Sequence, residues 1–131
     1  KGYKTILCPR LPLYFDFIQH AQHKNGRQWN GFGSLEAVYN YPDTNHNFTK
    51  EQEQLIMGLQ ANLWTERFDT NKKIDYMIFP RLIALSESSW SSKEVKNFAR
   101  FSNNLIPVYQ FLKNQDVYFF SNENPDETPE P

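Results

Sequence analysis

The sequence predicts an α/β fold, and it is too short for a complete eightfold barrel. Two short apolar runs, Lys4–Leu7 and Ile56–Trp64, read as strands far apart in the chain. The last third carries two apolar stripes at helical spacing. The order strand, loop, strand, helix, helix suits the end of an α/β domain. The chain's 131 residues suffice for one domain of ordinary size. A complete (β/α)8 barrel takes about 250.

Lys4–Leu7 (KTIL) is stopped by Cys8-Pro9. Pro9 and Pro12 hold an extended stretch up to Leu13, since each proline also biases its predecessor away from helix. Leu13–Ile18 (LYFDFI) is apolar and aromatic, broken only by Asp16. His20–Asn30 reads as a polar loop carrying Gly26 and Trp29. Ser34–Val38 fits one helical turn or two, with Ser34 as N-cap. Asn40–Asn47 (NYPDTNHN) is a dense turn cluster, read as a surface loop. Thr49-x-x-Gln52 has the form of a capping box, so a short helical turn precedes the next strand. Ile56–Trp64 (IMGLQANLW) is the best buried-strand candidate, although its apolar run taken alone also fits a helix.

Lys72–Trp90 places Ile74, Met77, Ile78, Leu82, Leu85 and Ser89 on one helical stripe, with Pro80 forcing a kink or restart. Ser91-x-x-Glu94 reads as the capping box of another helix. There Val95, Phe98, Phe101, Leu105, Tyr109 and Leu112 recur every three or four residues, and Pro107 interrupts the hydrogen bonding. Val117–Phe120 is a short strand or extended segment. The domain then spans residues 1–120. Residues 121–131 hold no apolar side chain and three prolines, and read as a solvated polar tail.

Composition removes several function classes. Fourteen Lys and Arg against fifteen Asp and Glu leave a formal charge of −1, without the basic excess that nucleic acid requires. No apolar run approaches the roughly 20 residues of a membrane span. Lys1–Arg10 has no long apolar core and no small-residue cleavage site, so no signal peptide is read there. The single cysteine, Cys8, excludes an internal disulfide and a multi-cysteine zinc site. It reads as a buried structural thiol. His20 and His23 stand at i, i+3 without an evident third ligand, so a solvated loop is the better reading and no metal site is expected. His46 is read the same way. The glycines do not cluster into a phosphate loop. Asn47-Phe48-Thr49 fits a glycosylation sequon, a short pattern that recurs by chance. Arg81, after Phe79-Pro80, reads as a tie between a helix end and a loop. Aromatic content is 16%, enough for a core with some left for a binding surface.

Two patterns carry candidate chemistry. Tyr14-Phe15-Asp16 and Trp64-Thr65-Glu66 each place an aromatic and a carboxylate two residues apart. In extended chain each pair projects from one face. Aromatic faces suit the C–H face of a sugar ring, and carboxylates accept from its hydroxyls. Trp29 offers a third wall. On spacing alone, core aromatics beside solvated carboxylates are the better-supported reading, because one W-x-E is common.

Four segments in order change that balance. Gly58–Glu66 (GLQANLWTE), followed by Met77–Trp90 (MIFPRLIALSESSW), resembles the end of the catalytic domain of glycoside hydrolase family 20, the β-N-acetylhexosaminidases. Tyr14-Phe15-Asp16 resembles the family's Tyr-x-Asp segment after the seventh barrel strand. Trp29-Asn30-Gly31-Phe32, with Tyr39-Asn40-Tyr41 downstream, resembles its Trp-x-Gly segment and the helix behind it. The resemblance runs from about Lys4 to Phe120. It implies the C-terminal portion of a (β/α)8 TIM barrel, about strands seven and eight with their helices, within a larger enzyme.

The resemblance also implies roles. Family members remove terminal N-acetylhexosamine from glycans with retention, the substrate's own acetamido oxygen attacking the anomeric carbon. Tyr14 matches the tyrosine that donates to that oxygen, and Asp16 the acid near the 6-hydroxyl. Trp64 matches a wall around the acetamido methyl, Glu66 the acceptor from the 4-hydroxyl, and Trp29 a tryptophan flanking the sugar. No cofactor is implied. The family's catalytic Asp-Glu pair and its sugar-binding arginine have no counterpart here. The only Asp-Glu dipeptide is Asp126-Glu127, in the tail. The expectation is therefore a fragment inactive alone, whose partner is an N-acetylhexosamine-terminated glycan, without nucleic acid or membrane span, and prone to self-association. A non-catalytic carbohydrate-binding or interaction module is the alternative. Members of the family work in the periplasm, outside the cell or in lysosomes.

Overall fold

The structure is a computed structural model that describes residues 2–44 and 46–131. Lys1 of the opening segment and Asn45 of the turn cluster lie outside the described residues. From the N-terminus run β1 (Thr5–Leu7), the kinked turn α1 (Arg10–Leu13), α2 (Leu35–Asn40), α3 (Lys50–Glu53) and β2 (Ile56–Leu59). Then come α4 (Asn71–Ile78), α5 (Arg81–Trp90), a 3-10 turn at Lys93–Val95, α6 (Phe98–Asn114) and a second 3-10 turn at Pro125–Glu127. The chain is a small α/β unit without a closed barrel.

β1 and β2 pair in parallel, Thr5 opposite Ile56, Ile6 opposite Gly58 and Leu7 opposite Leu59. Met57 is the extra residue of the bulge this register requires. Gly58 beside it takes a φ of +152°, a conformation that glycine alone holds without strain. β2 is therefore shorter than the Ile56–Trp64 run. Pairing resumes at Asn62, whose N–H donates to Leu13 O at 2.9 Å and whose carbonyl accepts from Phe15 N at 2.7 Å. On the other side, Arg27 N donates to Asp16 O at 2.9 Å and Ile18 N to Arg27 O at 3.0 Å. The Leu13–Ile18 run is thus pinned along both edges.

The core lies between this layer and the helices. Leu13 and Phe15 are buried with Leu35, Val38 and Tyr39 of α2, Ala84 and Leu85 of α5, and Phe101, Leu105, Tyr109 and Leu112 of α6. Each fully buried large apolar side chain of this kind contributes about 1.5–3 kcal/mol. A smaller cluster joins Tyr76, Met77 and Phe120.

Local signals place most helix ends. Ser34 Oγ accepts from Ala37 N at 3.1 Å, and Thr49 and Gln52 form the reciprocal capping box of α3. Pro80 separates α4 from α5, a restart as expected. Ser91-x-x-Glu94 does not open the long helix. It leads into a 3-10 turn with Val95 exposed, and Asn97 Oδ1 caps α6 by accepting from Arg100 N at 2.8 Å. α6 runs on through Pro107.

Three readings of polar segments are corrected. Residues 121–131 do not form a solvated tail: Ser121 and Thr128 are buried, and Glu130 accepts from Lys24 N, Asn25 N and Lys73 Nζ. His23 is buried rather than solvated. It shares a 2.8 Å hydrogen bond with the Tyr76 hydroxyl and meets Phe120 edge-on at 4.5 Å. Cys8 is only half-buried and accepts from Asn62 Nδ2 at 2.6 Å. In each case the partner lies dozens of residues away.

Arg81 does tie a helix start to loops, fully buried. Nη1 donates to Phe17 O (2.9 Å) and Gly33 O (3.1 Å), and Nη2 to Phe15 O (2.7 Å) and Met77 O (2.6 Å). A side chain on Gly33 would meet Pro12 O at 2.8 Å, so glycine is what lets this carbonyl approach. Burial pulls the guanidinium down to about 9, against the opposing pull of Asp16, and it stays cationic at neutral pH.

Candidate functional site

The pinned Leu13–Ile18 run fixes the first pair of candidate residues. Tyr14 bridges to Asn62, and Asp16 is held by its own carbonyl's bond to Arg27 N. Two residues past Asn62 the chain reaches Trp64, and a turn closed by Phe68 N on Thr65 O at 3.0 Å presents Glu66. Trp29 arrives on the loop from His20 to Asn30. Its ring lies 5.4 Å from that of Phe17.

Tyr14, Asp16, Trp29, Trp64 and Glu66 line one cavity of about 270 Å³. That is close to the lower end of the roughly 300–1,000 Å³ of small-molecule clefts, a size for one small ring. Larger cavities exist, among them a 440 Å³ groove between α6 and the C-terminal segment. That groove has aromatic walls of its own, Tyr109, Tyr118 and Phe119, with Glu123 and Glu127, but none of the five candidate residues lines it. In the smaller cavity, Tyr14 and Trp64 form two walls, their centroids 6.4 Å apart at 51°. Trp29 and Trp64 stay about half exposed. No hydrogen bond to the Tyr14 hydroxyl occurs among the described residues.

Three further residues complete the lining: Arg10, Phe17 and Arg27. Arg27 is central. Its Nε lies 2.7 Å from Asp16 Oδ2 and its Nη2 3.3 Å from Glu66 Oε1, so one guanidinium bridges both carboxylates. It also lies 5.3 Å from the Trp29 ring, with Arg10 at 5.6 Å. The Arg27–Asp16 contact is close but not aligned as a hydrogen bond. Asp16 is buried with both oxygens free of hydrogen-bond partners among the described residues. Oδ1 keeps its acceptor capacity, while Oδ2 is already paired in charge with the Arg27 guanidinium at 2.7 Å.

The charges of the lining cancel, two guanidiniums against two carboxylates. The arrangement offers flat apolar walls, one unengaged hydroxyl and two acceptors, which suits a neutral, hydroxyl-rich ring. The sequence does not single out Arg27, because its partners Asp16 and Glu66 stand 11 and 39 positions away in the chain. Its place two residues before Trp29 is the one local signal.

The model of glycosyl hydrolase family 20, catalytic domain, matches residues 1–93. A beta-hexosaminidase of Porphyromonas gingivalis is 33% identical over 93 residues, which are 71% of this chain and 12% of that protein. One of Vibrio furnissii is 34% identical over 98 residues, 71% of this chain and 16% of that protein. The chain therefore spans well under a fifth of these relatives. Among solved structures, a family 20 exo-β-N-acetylglucosaminidase from Vibrio harveyi, in complex with N-acetylglucosamine, matches with a TM-score of 0.79 at 31% identity. The match covers 90% of this chain and 19% of that one. The Streptomyces plicatus N-acetyl-β-hexosaminidase matches in fold, with a TM-score of 0.80 at 23% identity over 92% of this chain and 24% of that one. These neighbours are TIM-barrel enzymes.

Proposed function

The chain belongs to glycosyl hydrolase family 20, and from that membership we propose that it is the sugar-gripping part of a β-N-acetylhexosaminidase. In this reading residues 1–120 are strands seven and eight of the barrel with their helices, followed by the polar segment 121–131. The enzyme removes a terminal N-acetylhexosamine from a glycan by retaining, substrate-assisted hydrolysis. The observation that carries the reading is the meeting of Tyr14, Asp16, Trp29, Trp64 and Glu66, from three separate segments, on one cavity.

Each residue has a physical task there. The acetamido oxygen attacks the anomeric carbon and the acetamide becomes a cationic oxazolinium ring. The Tyr14 hydroxyl, unengaged in the free protein, donates to that oxygen and holds the acetamide in line for attack. Trp64 packs against the acetamido methyl and excludes water, while Trp29 flanks the ring. Asp16 accepts from the 6-hydroxyl and Glu66 from the 4-hydroxyl. Protonation of the leaving oxygen falls to an acid outside these 131 residues. Asp126-Glu127 sits in the second 3-10 turn and does not line the cavity.

The test compares two preparations. The full-length protein containing this chain hydrolyses an aryl N-acetylglucosaminide, and the 131-residue chain alone does not exceed a heat-killed control. General acid–base help alone is worth about 10²–10⁴-fold. A full-length protein that binds N-acetylglucosamine without cleaving such a substrate would favour a non-catalytic carbohydrate-binding module instead.

A further inference from the structure

We infer that Glu130 is a positioning residue: its carboxylate clasps the loop that carries Arg27 and Trp29 and so holds one wall of the pocket in its binding shape. The inference rests on the sugar-pocket reading above. Both carboxylate oxygens are engaged. Oε2 accepts the backbone N–H of Lys24 at 2.8 Å. Oε1 accepts that of Asn25 at 2.8 Å and the Lys73 ammonium at 3.2 Å. Two successive backbone N–H groups converging on one anion form a nest. Lys73 is almost fully buried on α4, and a buried ammonium requires a charged partner. Glu130 therefore joins three things: the C-terminal segment, α4 and the site loop.

The loop passes the constraint on. The Gln28 side-chain amide donates to the carbonyls of His23 at 3.3 Å and Lys24 at 3.1 Å, so residues 23–28 are tied to one another. Arg27 and Trp29 flank Gln28. The clasp's own segment is braced in turn, by Tyr118 Oη donating to Pro129 O at 2.7 Å and Ser121 N to Thr128 Oγ1 at 2.9 Å. The family match ends at residue 93, so this brace lies beyond it.

A loop without its clasp must be ordered when the sugar arrives. That cost falls on substrate and transition state alike, because Trp29 and Arg27 wall the ring in both. In the full-length enzyme, Glu130→Ala is expected to raise KM for an aryl N-acetylglucosaminide about fivefold or more, with kcat within about twofold. Hydrogen exchange at the Lys24 and Asn25 amides is expected to accelerate. Glu130→Gln keeps an acceptor oxygen but loses the charge, and falls between. Unchanged KM together with unchanged amide exchange overturns the clasp. So does a lowered melting temperature with KM intact, the signature of a merely structural contact. Faster exchange at Lys24 and Asn25 in a full-length protein that lacks hexosaminidase activity keeps the clasp and overturns the functional reading.

Discussion

Tyr14 and Glu66 line the same cavity, yet their substitution is expected to act differently. In the proposed reaction the Tyr14 hydroxyl orients the acetamido oxygen for attack, a placement that counts most on the way to the transition state. Tyr14→Phe is expected to lower kcat more than it raises KM. An effect confined to KM would restrict Tyr14 to ground-state binding. Glu66→Gln keeps an acceptor oxygen but loses the charge, and because the proposed 4-hydroxyl contact exists in both states, substrate and transition state are expected to weaken together. Steady-state kinetics of the full-length enzyme separate the two. Arg81 provides a contrast from outside the cavity. Arg81→Met strips four carbonyls of their donor in a buried site, and a loss of about 3–5 kcal/mol is expected. Chemical denaturation of the same protein reads it as a lower midpoint. An unchanged midpoint would mean that water replaces the guanidinium without cost.

At the scale of elements, the site loop and the C-terminal segment meet around His23. Burial drives its imidazole down to about 4, against the raising influence of Glu130 and with the help of His20, Arg81 and Lys73. An unfolded histidine titrates near 6.5. His23 therefore favours the folded state fully above pH 6.5, and that contribution is lost as pH falls from 6.5 to about 4. Glu130 acts in the same direction at lower pH. Burial raises its carboxyl, but the N–H groups of Lys24 and Asn25 and the charge of Lys73 outweigh this and hold it below 4.5, so its contribution disappears under stronger acid. His23→Gln is expected to flatten the fall in melting temperature between pH 6.5 and 4, and an unaltered profile would assign the acid loss to other groups. The same elements show what could be read from sequence. Ser34, Thr49-x-x-Gln52 and Pro80 act on neighbours within four residues, and each does what its local pattern predicts. The aromatic–carboxylate pairs were visible as patterns, but extended chain is not what places them: Phe15 and Asp16 lie in a turn closed by Phe17 N on Tyr14 O at 3.2 Å, and Glu66 in the turn closed by Phe68 N on Thr65 O. Ser91-x-x-Glu94 lost to Asn97, where the local signals competed. His23 and Glu130 were out of reach, since their partners stand 53 to 106 positions away.

For the whole molecule, the two-stranded sheet has consequences in isolation. Neither β1 nor β2 has a second strand beside it among the described residues, and Ile6 and Met57 are exposed, at 50% and 66%. Such edges recruit other chains. The 131-residue chain is expected to self-associate at micromolar concentration in analytical ultracentrifugation, with weak hydrogen-exchange protection in Ile56–Leu59. A compact monomer with strongly protected strand amides would mean that the unit is self-sufficient. The buried Arg81 also bears on the order of events in folding. Its four acceptors lie on the strand run at Phe15 and Phe17, the loop at Gly33 and the end of α4 at Met77. Three of these lie 48 to 66 positions away in the chain, so bringing them together means closing long loops, a slow and entropically costly step. Desolvation of the guanidinium is compensated only when all four carbonyls are in place. The cavity floor at Asp16, between Phe15 and Phe17, is therefore expected to set in the same kinetic phase as the docking of α5, and the proposed pocket is expected to gain ligand affinity only with that phase.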